Sequence, residues 1–386
     1  MQLQILGYLA WLLIAGSAVG CVYLWYACNA VAKFAQQPMP RSALQPAVSM
    51  MKPLRGEDPA LAENLRSFLR QDYPAFQLVC GVADASDPAA AVVRQLIGEF
   101  PQADIALVVD ATQQGTNLKV SNLRNMLPAA KHELLVLADS DMRVGANYLA
   151  AVTAPLVADR DTGLVTCLYR AHSAGGLWSD LASLHINHGF LPQAVVGESL
   201  GKGAGCFGAT MAFDRTTLAA VGGFEALADM LADDHALGGA VRRLGKRVAL
   251  SPYLVDDIVA EESFLGLFRH ELRWARTIRL VAAAGFAGSV VTYPVPLALL
   301  ALCLAAAPQA AAVMLVLALL VRVISARRID RALRLKAAPL WLLPVRDLLS
   351  FGVFIASFLG RNVAWRDRRF RIGPEGQLII VPEKSR

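Results

Sequence analysis

Charge is what this sequence has little of. Of its 386 residues only 18% are Asp, Glu, Lys or Arg, while 55% are apolar, and the mean hydropathy is +0.44. Soluble globular chains average about 45–50% apolar and about 25% charged, so a wholly soluble protein is excluded and part of the chain belongs in lipid. The six cysteines (Cys21, Cys28, Cys80, Cys167, Cys206 and Cys303) include no Cys-x-x-Cys pair. They also lack the Cys/His spacing of a structural zinc site, which excludes a zinc module. Three lie in apolar runs, and a reducing cytosol around the soluble part is the simpler expectation. No nucleic-acid motif occurs. The formal charge of +6 is modest, and its basic clusters flank apolar runs, which points to anionic lipid headgroups rather than nucleic acid. No internal repeat or low-complexity tract is present.

What is there, first, is a set of long apolar runs. Ile5–Cys28 is long enough to cross a hydrocarbon layer of about 30 Å and is preceded by no basic region, so it reads as a signal anchor rather than a cleaved leader. Lys33 and Arg41 follow it, which places the N-terminus outside and the next domain in the cytoplasm. Near the other end, Val291–Ala307 and Ala310–Val323 read as a membrane hairpin around Pro308-Gln309. Arg322, Arg327, Arg328, Arg331, Arg334 and Lys336 should then be cytoplasmic. Ala338–Leu359 could span, but Pro344, Arg346 and Asp347 sit near its middle, and Arg361, Arg366, Arg368, Arg369 and Arg371 follow. A re-entrant or interfacial hairpin satisfies the charge rule better, with Arg346 and Asp347 buried against protein.

Between these runs the hydropathy falls and strands alternate with helices. Strands are expected at Val48–Met51, Gln77–Val82, Ile105–Val109 and Leu134–Ala138, with later ones at Thr210–Phe213 and Arg247–Leu250. Helices are expected at Asp58–Arg70, with Asp58 capping and Pro59 in the first turn, and at Pro88–Phe100, Lys119–Leu127 and Asp234–Leu244. Such alternation implies a doubly wound α/β sheet. Leu265–Leu280 then carries Arg269, Arg273 and Arg276 on one arc beside a stripe of Leu265, Phe268, Leu272 and Ala275, the pattern of a helix lying in a membrane interface. The expected division is an anchor (1–32), a cytoplasmic catalytic domain (45–263), an interfacial helix (264–284), a membrane region of two spans plus a re-entrant or third span (285–360) and a basic cytoplasmic tail (361–386).

Leu134–Arg143 is the stretch with the clearest chemistry. Five apolar residues fit a strand buried on both faces, and Asp139 and Asp141 follow at its carboxyl end. Ligands of open α/β sheets bind there, and two carboxylates at i and i+2 can share a hard divalent cation with diphosphate oxygens and water. Asp84 and Asp234 stand at a strand end and a helix start. Such a set suits a reaction that holds a nucleoside diphosphate and deprotonates an alcohol. Lys119 and Asn122 share a helix face, and a lysine is a suitable point charge for a diphosphate.

The ordered set Lys52-Pro53-Leu54-x-Gly56, Asp84, Gly115-x-Asn117-x-Lys119-x-x-Asn122-Leu123, Asp139-x-Asp141, Asp233-Asp234 and His270-x-x-Arg273-Trp274 resembles a family 2 processive-type glycosyltransferase signature. More narrowly it resembles the ceramide glucosyltransferase group and its bacterial relatives, hopanoid-associated glycosyltransferases included. Val363-x-Trp365-Arg366-x-Arg368 extends the likeness into the tail. The resemblance implies a GT-A-type, Rossmann-like domain between N- and C-terminal transmembrane helices, in a bacterial inner membrane. It implies a UDP-sugar donor, a divalent cation (Mg²⁺ or Mn²⁺) and a membrane lipid as acceptor. By the same resemblance Asp84 contacts the uracil or ribose, and Lys52, Lys119, Asn122 and Asp139 belong to the nucleotide-sugar site. Asp139 and Asp141 form the Asp-x-Asp motif, with Asp141 the metal ligand, and Asp234 is the base. Arg273 and Trp274 belong to the motif that closes over diphosphate and acceptor. His188 matches a histidine region near the acceptor, and Gly201–Gly208 marks backbone passing close to donor and acceptor. His270 stands where the family usually has Gln or Arg. Tracts such as Cys206-Phe-Gly-Ala-Thr-Met and His270-Glu-Leu-Arg-Trp look nearest to the hopanoid-associated enzymes. That likeness implies transfer of N-acetylglucosamine to bacteriohopanetetrol, with ceramide glucosylation as the alternative. A non-catalytic nucleotide-sugar-binding scaffold is the rival of another class.

Overall fold

The computed structural model describes residues 2–56, 58, 60–201, 205–337, 339–360, 362–365, 368–373 and 376–380. The expectations placed on Pro59, Gly203, Arg361 and Arg366 lie outside the described residues.

Eleven strands are described: β1 (Val48–Pro53), β2 (Phe76–Val82), β3 (Asp104–Val109), β4 (Leu134–Leu137), β5 (Met142–Arg143), β6 (Thr162–Ser173), β7 (Met211–Asp214), β8 (Arg247–Val259), β9 (Asn362–Trp365), β10 (Arg368–Ile372) and β11 (Leu378–Ile380). The first eight form one sheet in the order β3-β2-β1-β4-β7-β6-β8-β5. β3, β2, β1 and β4 are parallel, and β7 then runs antiparallel to both β4 and β6. β1 and β2 are buried along almost their whole length, as strands covered on both faces must be. One face is covered by α2 (Leu61–Leu69), α3 (Pro88–Glu99) and part of α5 (Tyr148–Ala158), the other by α4 (Leu118–Met126) and α9 (Asp233–Arg243). In α2, Leu61, Leu65 and Phe68 point inward with almost no exposure, at about 1.5–3 kcal/mol of burial each. This is the expected α/β architecture. Because β1, β2, β3 and β4 run in parallel, the loops after them open on one edge of the sheet.

Four further helices, α6 (Leu177–His185), α7 (Leu191–Ser199), α8 (Arg215–Ala220) and α10 (Phe264–Val281), complete the α/β layer and its border. A single π-helical turn, Ile186–Phe190, joins α6 to α7. The apolar end of the molecule is built from α1 (Gln2–Ala35), α11 (Ala283–Gly288), α12 (Pro294–Cys303), α13 (Pro308–Leu333) and α14 (Leu342–Ser357). Two of them, α1 from Gln4 and α13, are long and apolar enough to cross a membrane. Among the described residues a third span exists only if Ala283–Thr292 and Pro294–Cys303 act as one, and these meet at a bend of 67°. The straight span expected over Val291–Ala307 is therefore replaced by a broken pair, with Pro294 and Pro296 at the start of α12. α13 continues ten residues beyond Val323, so Arg322, Arg327, Arg328 and Arg331 ride on a helix rather than in a separate stretch. α14, with 16 residues, is about 24 Å long and falls short of a hydrocarbon thickness of about 30 Å.

Charges inside this apolar end are paired. Arg346 and Asp347, 1% and 8% exposed, turn to different partners. Both terminal nitrogens of Arg346 donate to the Glu271 carboxylate of α10 at 2.7 Å, while Nε of Arg322 on α13 donates to both Asp347 oxygens at 2.9 Å. The segment expected to be a simple basic tail also differs. It folds into a second sheet, β11-β10-β9, whose Phe370 and Leu378 pack on Leu231 and Leu280.

Candidate active site

The carboxyl ends of the parallel strands and the inner side of α10 enclose a cleft of 1310 Å³. At its centre, Lys119 Nζ lies 2.6 Å from Asp139 Oδ1 and 3.7 Å from Asp233 Oδ2. Lys119 is placed by the N-terminus of α4, where the Asn117 side chain accepts hydrogen bonds from the Lys119 and Val120 amides, an N-cap that a sequence pattern of Asn before a short helix specifies. The turn before it carries Gly115 at φ +80°, where an added Cβ would stand 2.5 Å from the Ala228 carbonyl oxygen, so only glycine fits. Burial lowers the Lys119 pKa, but Asp139, then Asp233 and Asp234, outweigh it and hold the ammonium protonated.

Asp234 opens α9. Its Oδ2 accepts the Gly208 amide at 2.9 Å and its Oδ1 the His235 amide at 2.7 Å. Burial first, and Asp233 second, push its pKa up to about 6 against the opposing pull of Lys119. Gly208 is the backbone's point of closest approach. A Cβ there would stand 3.3–3.4 Å from Lys119 Nζ, Asp139 Oδ2 and Asp234 Oδ2 at once. A glycine thus lets the chain pass between the two acids.

Asp141 lies deeper. Burial, then Asp139, raise its pKa to about 6, and its Oδ1 has no hydrogen-bond partner. Among the described residues no three His, Cys, Asp or Glu side chains are grouped to hold an ion by themselves. Two carboxylates, one with an orphaned buried oxygen, do fit a magnesium-like ion that takes its other ligands from phosphate and water. Lys52, expected to contact nucleotide, is wholly buried and is absent from the cleft wall. Its ammonium donates to the Asp139 carbonyl oxygen and sits 3.9 Å from the Phe68 ring centre. Burial lowers its pKa to about 8 against Asp141 and Asp139. It braces the acid-bearing turn from below.

The other expected residues divide. Asp84, after β2, faces the cleft, and the Ser86 amide and hydroxyl, each 2.8 Å from its Oδ1, keep its pKa below the usual carboxylate range. Asn122 lines the cleft, yet its amide is spent on the Gly81 carbonyl at 2.8 Å, tying α4 to β2. Arg273 and Trp274 reach the cleft from α10. Trp274 lies between His270 and His185, with ring centres 4.5 and 6.5 Å away, and His270 Nδ1 is 2.8 Å from Glu261 Oε1. His188 points elsewhere, into the membrane helices, with Nε2 2.7 Å from Asp330 Oδ1.

Three cleft residues escaped the sequence reading. Asp110 ends β3 and accepts the Thr112 amide; its signal, an apolar run stopped by an acid, is the one that marked Asp139. Asp257 sits near the end of β8, after Asp256, where burial, then Asp141 and Asp139, raise its pKa well above normal. His185, one turn before His188, faces the cleft where His188 does not.

The architecture is shared with a mannosyltransferase, PcManGT from Pyrobaculum calidifontis, solved in complex with GDP-Man and Mn²⁺. The two are 21% identical, with a TM-score of 0.56 over 92% of this chain and 99% of that one, and the common fold is GT-A-like. Ceramide glucosyltransferase 1 of Caenorhabditis elegans is 25% identical over 231 residues, 60% of this chain and 49% of its own length. A ceramide glucosyltransferase of Komagataella phaffii is 29% identical over 123 residues, 31% of this chain and 24% of its own. The chain thus spans half or less of the length of these curated relatives. The model of one family, glycosyl transferase family 21, matches residues 12–378, nearly the whole sequence. The chain belongs to glycosyl transferase family 21.

Proposed function

We propose that this protein transfers a single hexose from a UDP-sugar to a hydroxyl of a membrane lipid, with inversion at the anomeric carbon. The observation that carries this reading is the placement of Asp234. It is buried and fixed by the Gly208 amide, in the same cleft as the Lys119–Asp139 pair and the α10 residues Arg273 and Trp274.

In this mechanism Asp234 is the general base. Its raised pKa gives it the proton affinity to take up the acceptor's hydroxyl proton as the oxygen attacks the anomeric carbon. One base is enough for a direct displacement, whereas a two-step retaining route also needs a nucleophile. Asp84, already ordered by Ser86, accepts hydrogen bonds from the uracil or ribose. Lys119 and Arg273 place positive charge where the UDP leaving group gains negative charge. Asp139 and Asp141 would hold a divalent cation, Mg²⁺ or Mn²⁺, which when bound neutralises the diphosphate. Trp274 offers an aromatic wall to the acceptor. The catalytic domain faces the cytoplasm of a bacterial inner membrane, with α10 at the bilayer surface, where a lipid hydroxyl can reach the cleft.

Two acceptors have specific support. The His270-Glu-Leu-Arg-Trp and Cys206-Phe-Gly-Ala-Thr-Met tracts favour bacteriohopanetetrol with UDP-N-acetylglucosamine. The ceramide glucosyltransferase relatives favour ceramide with UDP-glucose. Radiolabelled donors offered with each lipid and Mg²⁺ or Mn²⁺ separate the two. Asp234→Asn should abolish transfer while UDP still binds; unchanged transfer by that variant would refute the assigned base, and UDP binding without transfer by the wild type would point to a scaffold.

A further inference from the structure

A second, much smaller cavity of about 40 Å³ lies between α1, the α6–α7 turn, α13 and α14. A void needs about 10–15 Å³ by this measure to hold one water, so the space admits one or a few non-hydrogen atoms and no sugar. Two side chains in its wall, His188 and Arg322, are each only 5% exposed. Each is half satisfied. His188 Nε2 bonds Asp330 Oδ1 at 2.7 Å while its Nδ1 has no partner. Arg322 Nε bonds both oxygens of Asp347 while its Nη1 has none. Buried polar atoms are almost always paired, with water where protein does not serve.

The two orphans differ in kind. With Nε2–H donating to a carboxylate, a neutral imidazole presents a lone pair at Nδ1. Burial holds the His188 pKa below its usual value against the opposing Asp330, which keeps the ring neutral. Arg322 Nη1 can only donate. A carboxylate or phosphate would serve the arginine and give nothing to the imidazole, an ammonium would do the reverse, and an apolar group would serve neither. A hydroxyl serves both. We infer that this cavity binds a hydroxyl group, which donates to His188 Nδ1 and accepts from Arg322 Nη1. Its source is either an internal water or a second hydroxyl of the lipid being glycosylated. The lipid source rests on the function proposed above. It has a route, because His185 and Gln193 line both this cavity and the large cleft.

The test uses the full chain in lipid nanodiscs, with two acceptors: a long-chain lipid carrying two hydroxyls, and the same lipid keeping only the reacting one. If the lipid fills the cavity, the wild type shows an acceptor KM about five- to a hundredfold higher for the mono-hydroxy lipid, the worth of the two hydrogen bonds its missing hydroxyl would make. His188→Phe then raises the KM of the dihydroxy lipid about three- to tenfold, part of the way to that level, the worth of the one bond it removes, with UDP affinity as the check on folding. If water fills it, the two lipids have equal KM, and a map of the acceptor-free protein that resolves ordered waters shows a peak within hydrogen-bond distance of both atoms. Equal KM values together with no such peak overturn the inference. The wild-type comparison and the map need no variant, so a misfolded His188→Phe leaves both decisive. Failure of the wild type to glycosylate either lipid would count against the proposed function alone, and the map would still decide the water.

Discussion

Arg346→Met is the perturbation whose outcome the structure fixes most tightly. Arg346 is 1% exposed and Glu271 3%, and their two 2.7 Å hydrogen bonds form a bidentate clamp between α14 and the helix that carries Arg273 and Trp274. Removing the guanidinium leaves a carboxylate buried and unpaired, at a cost of about 3–5 kcal/mol. At 1.4 kcal/mol per factor of ten, that is a loss of about two to three and a half decades in the folded ratio. Glu271→Leu should cost about as much, for the mirror reason. The double variant, with both charges replaced by apolar groups of similar length, should return to within about 1–2 kcal/mol of the wild type, since desolvation no longer opposes folding. The Leu181 carbonyl and Ser350 hydroxyl, which Arg346 also contacts, account for the residual. The assay is denaturant unfolding of all four proteins in one detergent, analysed as a double-mutant cycle. If the losses simply add in the double variant, the pair is not desolvated and α10 is held by apolar contacts alone.

Other outcomes follow from the same geometry. Turnover should show an acid limb with a midpoint near pH 6, because Asp234 must be deprotonated to act and its pKa is raised to about 6; a rate profile level down to pH 4.5 would remove Asp234 as the base. Gly208→Ala should lower kcat at least about tenfold with the fold intact, since the new methyl must displace Lys119, Asp139 or Asp234 by some tenths of an ångström; thermal unfolding run beside kinetics separates the two effects. Chelation with EDTA should abolish transfer and Mn²⁺ or Mg²⁺ restore it, and Asp141→Asn should weaken the metal dependence by an order of magnitude or more. Asn117→Ala should cost about 1 kcal/mol through the lost cap of α4 and loosen Lys119, read as a rise in the UDP dissociation constant.

The parallel half of the sheet was legible because β1, β2 and β4 are buried on both faces and so read as largely apolar runs. Asp84, Asp139 and Asp234 were legible because each breaks such a run or begins a helix. β6, twelve residues long, was invisible: Thr162-Gly163 opens it, and its neighbours in the sheet, β7 and β8, lie 40 or more positions downstream in sequence. Asp257 was hidden because nothing local separates a buried acid from a strand's outward face. Lys52 misled for the opposite reason, since a motif residue can support an acid from beneath as well as touch a nucleotide. A sequence can show that Arg346 sits in an apolar segment; its partner Glu271 is a property of packing.

The small sheet β9–β11 has a consequence for how the protein comes to be active. The loop leading into Asp234 takes its backbone pairing from it: the Leu378 amide donates to the Asp229 carbonyl and the Leu231 amide to that of Gly376, while Arg276 of α10 donates to the Asn362 and Leu359 carbonyls. Of those partners, Asn362, Gly376 and Leu378 lie beyond every candidate membrane segment in the sequence. During synthesis the loop before Asp234 therefore stays without these bonds until α12, α13 and α14 have left the ribosome. With Asp234 as the proposed base, a chain that ends before these strands lacks the bonds that order the loop leading into it. A C-terminal tag or truncation reaching these strands removes backbone pairing from the loop that leads into Asp234.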